Sequence, residues 1–374
     1  MLGRARDGRL LSAGLHRDAP HFGHFYPRRA RKVKSEWTPA FTPGTLTAMS
    51  QDPHELGGPE RVKRTLDNME ANVGYVPGFR RAHARGVAFR GTFTASPEAA
   101  ALTTAEHLQG DDIAVAVRLS NGAGNPYSAD KSSAKQGGVF GMAGRFALPS
   151  GDTSEWAALS LLDFPARVPQ DFTGLAGAQK KGLPDGLPNP LRIVTYLATH
   201  PHLLPGFKAI VKAKPPESFA MTRFNGLHAY FLVDAEGTRR AFRYRWVPLA
   251  GTADITPAEH KLLPPQYMIS EIKLRVAQAP VAWDLVLQMA EPDDPTDDMT
   301  KHWPEDRPLV TAGRLTIDRL HSDQGLIDRS MFDPTKVPPG IELSDDPVLH
   351  FRSESYVESQ RRRLAEHKPA IQPE

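Results

Sequence analysis

The chain has 374 residues, of which 40% are hydrophobic and 24% charged, proportions typical of a folded globular protein rather than a disordered one. It contains no cysteine, which excludes disulfides, thiolate zinc sites, iron–sulfur clusters and cysteine nucleophiles. Its 46 Lys and Arg against 43 Asp and Glu give a net charge of only +3, so bulk charge makes no case for nucleic acid binding.

Residues 1–48 are predicted to be a tail without regular structure, or to precede the true start of the protein. The tail is basic, with a cluster at Arg28, Arg29, Arg31, Lys32 and Lys34, which leaves an anion-binding or transit-like arm as an alternative. It lacks the apolar segment of a secretory signal, and no apolar run approaches the roughly 20 residues of a membrane helix. We therefore expect a cytoplasmic protein with no membrane span, and a single domain over residues 49–374.

Two kinds of periodicity follow the tail. Residues 60–70 are predicted to be helical because Val62, Leu66 and Met69 fall at helical spacing. Period-two alternation then predicts strands at residues 87–93, 113–119, 231–233, 241–247, 281–289 and 315–320. Helical spacing returns at residues 191–197, 266–276 and 353–364.

The order of these elements predicts the fold class. The turn at residues 235–237 joins two of the strands into a hairpin. The strands are long, and no regular alternation of strand and helix connects them. We therefore predict an α+β fold, with an antiparallel β-barrel core and surrounding α-helices.

Two stretches beside predicted strands carry polar residues that could do chemistry. Residues 77–86 contain His83 within a group of arginines; taken alone, His83 is more typical of a surface histidine, or of one with its hydrogen bonds satisfied, than of a catalytic one. Residues 116–125 end a strand with Ser120 and a Gly-x-Gly sequence. A phosphate-binding loop is a weak interpretation of that sequence, because the full G-x-G-x-x-G pattern is absent.

A third stretch lies near the C-terminus. It runs from residue 332 to 342 and continues to Arg352 and Tyr356, which are four apart on a predicted helix and so share a face. A cation beside a phenol favours the phenolate, and tyrosine is a known axial ligand class for haem iron. An ordinary Arg–Tyr pair on an amphipathic helix is the alternative if this pair is taken alone.

In this order and at these separations, the three stretches resemble the haem-dependent catalase family, and more closely its small, truncated branch of catalase-related peroxidases. The resemblance extends over about residues 50–365 and also includes residues 223–237 and 303–315. It implies a catalase-like barrel that binds haem b and its iron. It also implies an oxidoreductase that reduces hydrogen peroxide or organic peroxides with a small organic donor, and that associates into a homo-oligomer.

The resemblance also implies roles for single residues. His83 matches the catalytic histidine on the peroxide side, and Ser120 matches the residue that orients it. Tyr356 matches the iron ligand and Arg352 its charge partner. His228 matches a histidine near that arginine, on the same side as the ligand.

Further matches concern the haem propionates and the peroxide pocket. Arg80, Arg118 and Arg363 match residues that neutralise the propionates. Where the family has an asparagine that positions peroxide, this chain has Leu159 or Ser160. We therefore expect peroxidase chemistry with weak catalase activity. A haem carrier or sensor, or an enzyme that rearranges fatty-acid hydroperoxides, stays open as an alternative.

Overall fold

A computed structural model of the chain describes residues 58–131, 139–162, 164–181 and 189–366. The prediction for residues 1–48 lies outside these ranges. Among the described helices, none combines the length and the apolar character that crossing a bilayer would require.

The described core is a closed antiparallel β-barrel. Its strands are β1 (Gly86–Ala95), β2 (Asp112–Asn121), β3 (Phe140–Ala147), β4 (Thr153–Leu159), β5 (Phe224–Asn225), β6 (Tyr230–Val233), β7 (Arg239–Pro248), β8 (Val281–Met289), β9 (Leu309–Leu320) and β10 (Ile341–Leu343). Eight of them pair in the order β1–β2–β3–β4–β5–β7–β8–β9, and β9 returns to β1, while β6 and β10 extend the sheet beside β7. The predicted fold class is confirmed, and closure leaves these eight strands without a free edge.

Helices surround the barrel. They are α1 (Pro59–Val73), α2 (Pro97–Ala100), α3 (Pro169–Ala178), α4 (Pro190–Thr199), α5 (Leu204–Lys212), α6 (Pro257–Leu262), α7 (Tyr267–Gln278), α8 (Gln324–Arg329) and α9 (Pro347–Ala365). Six begin with proline at their first or second position, after an extended residue. Proline favours that position because its fixed φ suits a helix and its missing N–H would have no partner there.

Aromatic rings fill the middle of the barrel. Phe93, Phe146 and Phe242 are fully buried, and Phe93 meets Phe146 edge to face at 5.4 Å between ring centres. The cavity that Trp156 and Tyr244 help to line has a volume of about 10 Å³, roughly enough for one water molecule. The barrel is therefore a packed core, and functional side chains have to lie around it.

The structure confirms the predicted strands and helices, and two of them start well before their predicted first residues. Strand β9 begins at Leu309 and helix α9 at Pro347, both six residues before the predicted starts. The elements not predicted from the sequence are β3, β4, β5, β10, α2, α3, α5, α6 and α8. Strand β3 carries Gly141 and Gly144, and glycine weakens the signal of a strand because it adds no side chain to the alternating pattern.

Candidate active site

His83 lies in the segment between α1 and β1. Its φ is +53°, an uncommon value for a residue other than glycine. Two backbone hydrogen bonds hold this conformation, from the His83 N–H to Gly122 O at 3.4 Å and from Ala84 N–H to Ala123 O at 2.9 Å. The imidazole Nδ1 forms a hydrogen bond of 3.0 Å with Ser120 Oγ, so the end of β2 both shapes the segment and fixes the ring.

Glycine is required beneath this ring. A Cβ at Gly141 of β3 would lie 2.8 Å from His83 Cε1 and Nδ1, too close for any side chain. Burial, and after it the positive charges of Arg118, Arg352 and Arg80, together lower the pKa of His83 to about 3. The ring is therefore neutral and can accept a proton.

Arg80 and Arg363 converge on one backbone segment. Arg80 Nη2 donates to Ser330 O at 2.6 Å and to Ile327 O at 3.0 Å. Arg363 Nη2 donates to Ser330 O at 2.8 Å and to Arg329 O at 3.0 Å. Within the described residues the Nε atoms of both arginines are buried without a hydrogen-bond partner, so both guanidinium groups retain donors for a further acceptor.

Arg118 on β2 is the third member of this arginine cluster. It donates to Ala84 O at 3.3 Å and pairs at 3.4 Å with Asp328, a carboxylate that is itself partly exposed. Burial lowers the pKa of Arg80, Arg118 and Arg363, and the charge of Arg118 adds to the lowering at both of the others. Arg118 and Arg363 are buried and Arg80 is half-buried, and little negative charge offsets the three cations. A bound dianion would stabilise such an arrangement.

Arg352 and Tyr356 form a two-point contact on α9. Arg352 donates to Tyr356 Oη from Nη2 at 2.8 Å and from Nε at 3.1 Å. Burial is the largest single effect and lowers the pKa of Arg352, but Tyr356, Tyr230 and Tyr244 together raise it, so the net shift is upward. Arg352 therefore places a permanent cation against the oxygen that Tyr356 could offer to a metal.

His228 and Asp346 form a buried pair near Arg352. His228 Nδ1 donates to Asp346 Oδ2 at 2.7 Å, and both side chains are almost completely buried. Burial lowers the pKa of His228 against the opposing effect of Asp346, and Arg352 lowers it too. The other ring nitrogen of His228 is buried and has no partner among the described residues.

Asp346 is a functional candidate that the sequence analysis missed. Its Oδ1 accepts from Val348 N at 2.8 Å and caps α9, while Oδ2 holds His228. The carboxylate of Asp346 thus fixes both the start of α9, the helix that carries Tyr356, and the orientation of His228. An Asp–Pro pair is a helix-start signal, and it could have marked the true beginning of α9.

Carboxylates also fix the loop before α9. Ser353 Oγ donates to Asp333, and the backbone N–H of Asp333 donates to Glu155 on β4. Arg145 on β3 holds the other oxygen of Glu155 at 2.7 Å. These contacts tie the tyrosine helix to the barrel wall.

Leu159 and Ser160, the residues predicted to replace the family's asparagine, lie at the end of β4. Leu159 ends β4 and pairs with Gly141 on one side and Asn225 on the other. Ser160 Oγ accepts from Phe140 N at 2.9 Å, and the Asn225 amide donates to Leu161 O at 3.1 Å. The polar groups at this position are therefore engaged with the backbone.

The predicted site residues lie in one region. The charges of Arg118, Arg352 and Arg80 act on the pKa of His83. Tyr356 acts on the pKa of Arg80, where it opposes the lowering by burial. Arg363 shares Ser330 with Arg80, and His228 lies within reach of the charge of Arg352. Ser120 completes the set through its hydrogen bond to His83.

Comparison with known proteins gives a consistent result. The family model described as Catalase matches residues 72–372. A catalase-related peroxidase of Mycolicibacterium paratuberculosis is 36% identical over 316 residues, which cover 83% of this chain and 97% of that protein. A catalase-related peroxidase of Synechococcus elongatus is 29% identical over 80% of this chain and 88% of its own length.

Longer proteins match as well. Catalase-3 of Arabidopsis thaliana is 26% identical, and the match spans 76% of this chain but only 60% of that protein. A solved structure described as a bacterial catalase superposes with a TM-score of 0.69 at 22% identity, over 86% of this chain and 64% of the other. At that identity, the superposition shows a shared fold.

Proposed function

This chain belongs to the catalase family, and on that premise we propose that it is a haem peroxidase. It reduces hydrogen peroxide or organic hydroperoxides, oxidises a small organic donor, and releases dioxygen only weakly. The observation that carries the proposal is the two-point contact of Arg352 with Tyr356, in the same region as the neutral His83.

The residues present fit a haem group. Tyr356 offers a phenolate oxygen to iron, and the arginine cluster of Arg80, Arg118 and Arg363 offers buried donors to two propionates. Bound there, haem supplies an iron that binds peroxide and takes up its oxidising equivalents. Arg352 donates twice to the same oxygen and so fixes the direction in which Tyr356 presents it.

His83 moves the proton. With Nδ1–H donating to Ser120 Oγ, the ring presents a lone pair at Nε2. That nitrogen takes the proton from one peroxide oxygen and returns it to the other as the O–O bond breaks, so water or an alcohol leaves instead of an anion. The low pKa of His83 keeps this nitrogen free to accept the proton.

The surroundings of His83 favour peroxidase chemistry over dioxygen release. Oxidation of a second hydrogen peroxide needs a polar group to position it, and we propose that Leu159 or Ser160, whose hydroxyl is bonded to the backbone, replaces that group here. A less polar pocket suits organic peroxides and organic donors better. The relatives named as peroxidases support this choice over a haem carrier or a hydroperoxide-rearranging enzyme.

The organisation of the protein forms part of the proposal. We propose that residues 49–374 act as one domain, that the enzyme is cytoplasmic, and that it assembles as a homo-oligomer. The lack of cysteine is compatible with a reducing compartment.

Two measurements on purified, haem-loaded protein test the function. The absorption spectrum is expected to show a Soret band in the high-spin ferric pattern of phenolate ligation. Steady-state assays are expected to show oxidation of phenolic dyes by peroxide and little dioxygen. A protein that refuses added hemin contradicts the cofactor; dioxygen release at full catalase rates with negligible dye oxidation contradicts the peroxidase assignment.

A further inference from the structure

Helices α4 and α5, with the short 3-10 turn Pro201–Leu203 between them, form a segment with an unusual charge. Residues 189–216 contain no aspartate or glutamate. Its exposed cations are Arg192, Lys208, Lys212 and Lys214. Among the described residues none of these four forms an ion pair. We call this segment the basic helix pair.

Apolar side chains on the same two helices face solvent. Leu191 and Val194 lie one turn apart on α4 and are 69% and 61% exposed, and Val211 on α5 is 66% exposed. Leu197 and Gly206 are the buried residues of the two helices. A Cβ at Gly206 would lie 2.6 Å from Pro165 Cα, so α5 is pressed against the rest of the protein while its outer face remains free.

Exposed leucine and valine between unpaired cations are typical of helices that lie in a membrane interface. There the apolar side chains enter the boundary between headgroups and acyl chains, while the cations contact anionic headgroups. We propose that the basic helix pair docks this protein on an anionic lipid surface. Leu191, Val194 and Val211 insert, and the cations contact lipid phosphates.

The charge of the basic helix pair favours an anionic lipid surface over a second copy of the chain as its partner. A two-fold dimer through this surface would place the same patch against itself. Four cations would then face four cations with no carboxylate in either segment to compensate, and like charges across an interface are unfavourable. An anionic bilayer meets both the charge and the apolar requirement.

The chain offers a matched pair of variants for the test. Val211 and Lys212 are neighbours on α5, and Leu274 and Lys273 are neighbours on α7, where Leu274 is also 66% exposed. The full chain is sedimented with phosphatidylcholine vesicles, with and without phosphatidylglycerol. Wild type is expected to bind only the anionic vesicles, and less at high salt.

The variant Val211→Asn with Lys212→Gln is expected to lower partitioning by at least about fivefold, the effect of one lost cation near an anionic surface. Leu191→Asn with Val194→Asn is expected to lower it as well, whereas Leu274→Asn with Lys273→Gln leaves it unchanged. Peroxide turnover in solution is expected to be unchanged in all of them, which separates a docking defect from misfolding and from any failure of the proposed activity.

Three results would overturn the proposal. One is equal loss of vesicle binding in the α7 control. Another is undiminished binding in the basic-helix variants together with its loss when Arg28, Arg29 and Arg31 are changed to glutamine, which would assign binding to the basic tail. The third is a dimer in gel filtration that only the α4 and α5 variants dissociate, which would assign this face to a second copy.

Discussion

The two sides of the site are built differently. The tyrosine side is dense with charge-assisted contacts: Arg352 donates twice to Tyr356, and His228 donates to Asp346 at 2.7 Å. On the other side, His83 has one side-chain hydrogen bond, 3.0 Å to Ser120. A metal ligand has to be held in one place and one charge state, while a proton carrier needs free space and a free nitrogen. The difference fits the proposed roles, in which the tyrosine side would retain the cofactor and the histidine side would transfer the proton.

The largest effect is expected when the phenol oxygen of Tyr356 is removed from the tyrosine side. Tyr356→Phe is expected to abolish or severely weaken haem retention, because it deletes the proposed iron ligand and leaves the half-buried Arg352 without the oxygen to which it donates twice. The measurement is the ratio of Soret to protein absorbance after purification with ample hemin. Tyr127→Phe, at an exposed tyrosine, is the control and is expected to match wild type. An unchanged Soret ratio in Tyr356→Phe would assign the ligand elsewhere.

On the opposite side, His83→Ala is expected to leave haem bound and to slow the reaction. Loss of a general acid–base typically costs about 10²–10⁴-fold. Rapid mixing with peroxide, followed by the change in the Soret band, measures this rate. The control is His302→Ala, at an exposed histidine, which is expected to react at the wild-type rate. Identical traces for His83→Ala and wild type would remove His83 from the mechanism.

Substitution of Asp346 tests whether contacts on the tyrosine side also contribute to the free energy of unfolding. Asp346→Ala removes a helix cap, worth about 1 kcal/mol, and leaves a buried His228 N–H unpaired, at about 1–3 kcal/mol. We therefore expect the free energy of unfolding in urea to fall by about 2–4 kcal/mol. The neighbouring Asp345 is exposed, and Asp345→Ala is expected to change it by less than about 0.5 kcal/mol. Equal effects at both positions would show that the buried pair has no special role.

The same contrast explains what the sequence could predict. Arg352 and Tyr356 are four apart on one helix, so a local rule finds them. His228 and Asp346 are 118 positions apart, and no local pattern joins them. The resemblance to a family predicted that His228 lies near Arg352, but it did not predict that Asp346 accepts a hydrogen bond from His228.

The strands show a related limit. Long alternating strands such as β2 and β8 were predicted because one face of each is buried in the barrel. Strand β3 was missed, and one reason is functional: Gly141 has no side chain because His83 occupies that space. At this position the requirement of the site removed the signal of the strand.

A smaller effect is expected from the residue that orients the histidine. Ser120→Ala removes the 3.0 Å hydrogen bond to Nδ1, and the loss of one such bond corresponds to about tenfold in rate. Rapid mixing with peroxide is the measurement, and the exposed Ser150→Ala is the control. Haem content is expected to be unchanged. A loss as large as that of His83→Ala would mean that Ser120 itself takes part in proton transfer.

The smallest expected effect is that of pH on the histidine side. Burial, with the charges of Arg118, Arg352 and Arg80, lowers the pKa of His83 from 6.5 to about 3. The ring therefore stays neutral well below the pH at which a free histidine is protonated. The rate of the reaction with peroxide is expected to stay within about twofold between about pH 8 and about pH 5.

The same shift has the opposite consequence for stability. Below pH 6.5 the unfolded chain binds a proton at this position that the folded protein does not, so His83 makes stability fall as the pH drops from 6.5 towards 3. Activity and stability should therefore separate on acidification: the rate stays flat while the free energy of unfolding decreases. Rapid mixing and urea denaturation at each pH measure the two quantities. If the rate instead changed with an apparent pKa near 6.5, His83 would be solvated like a surface histidine. The histidine side of the site would then be open to water.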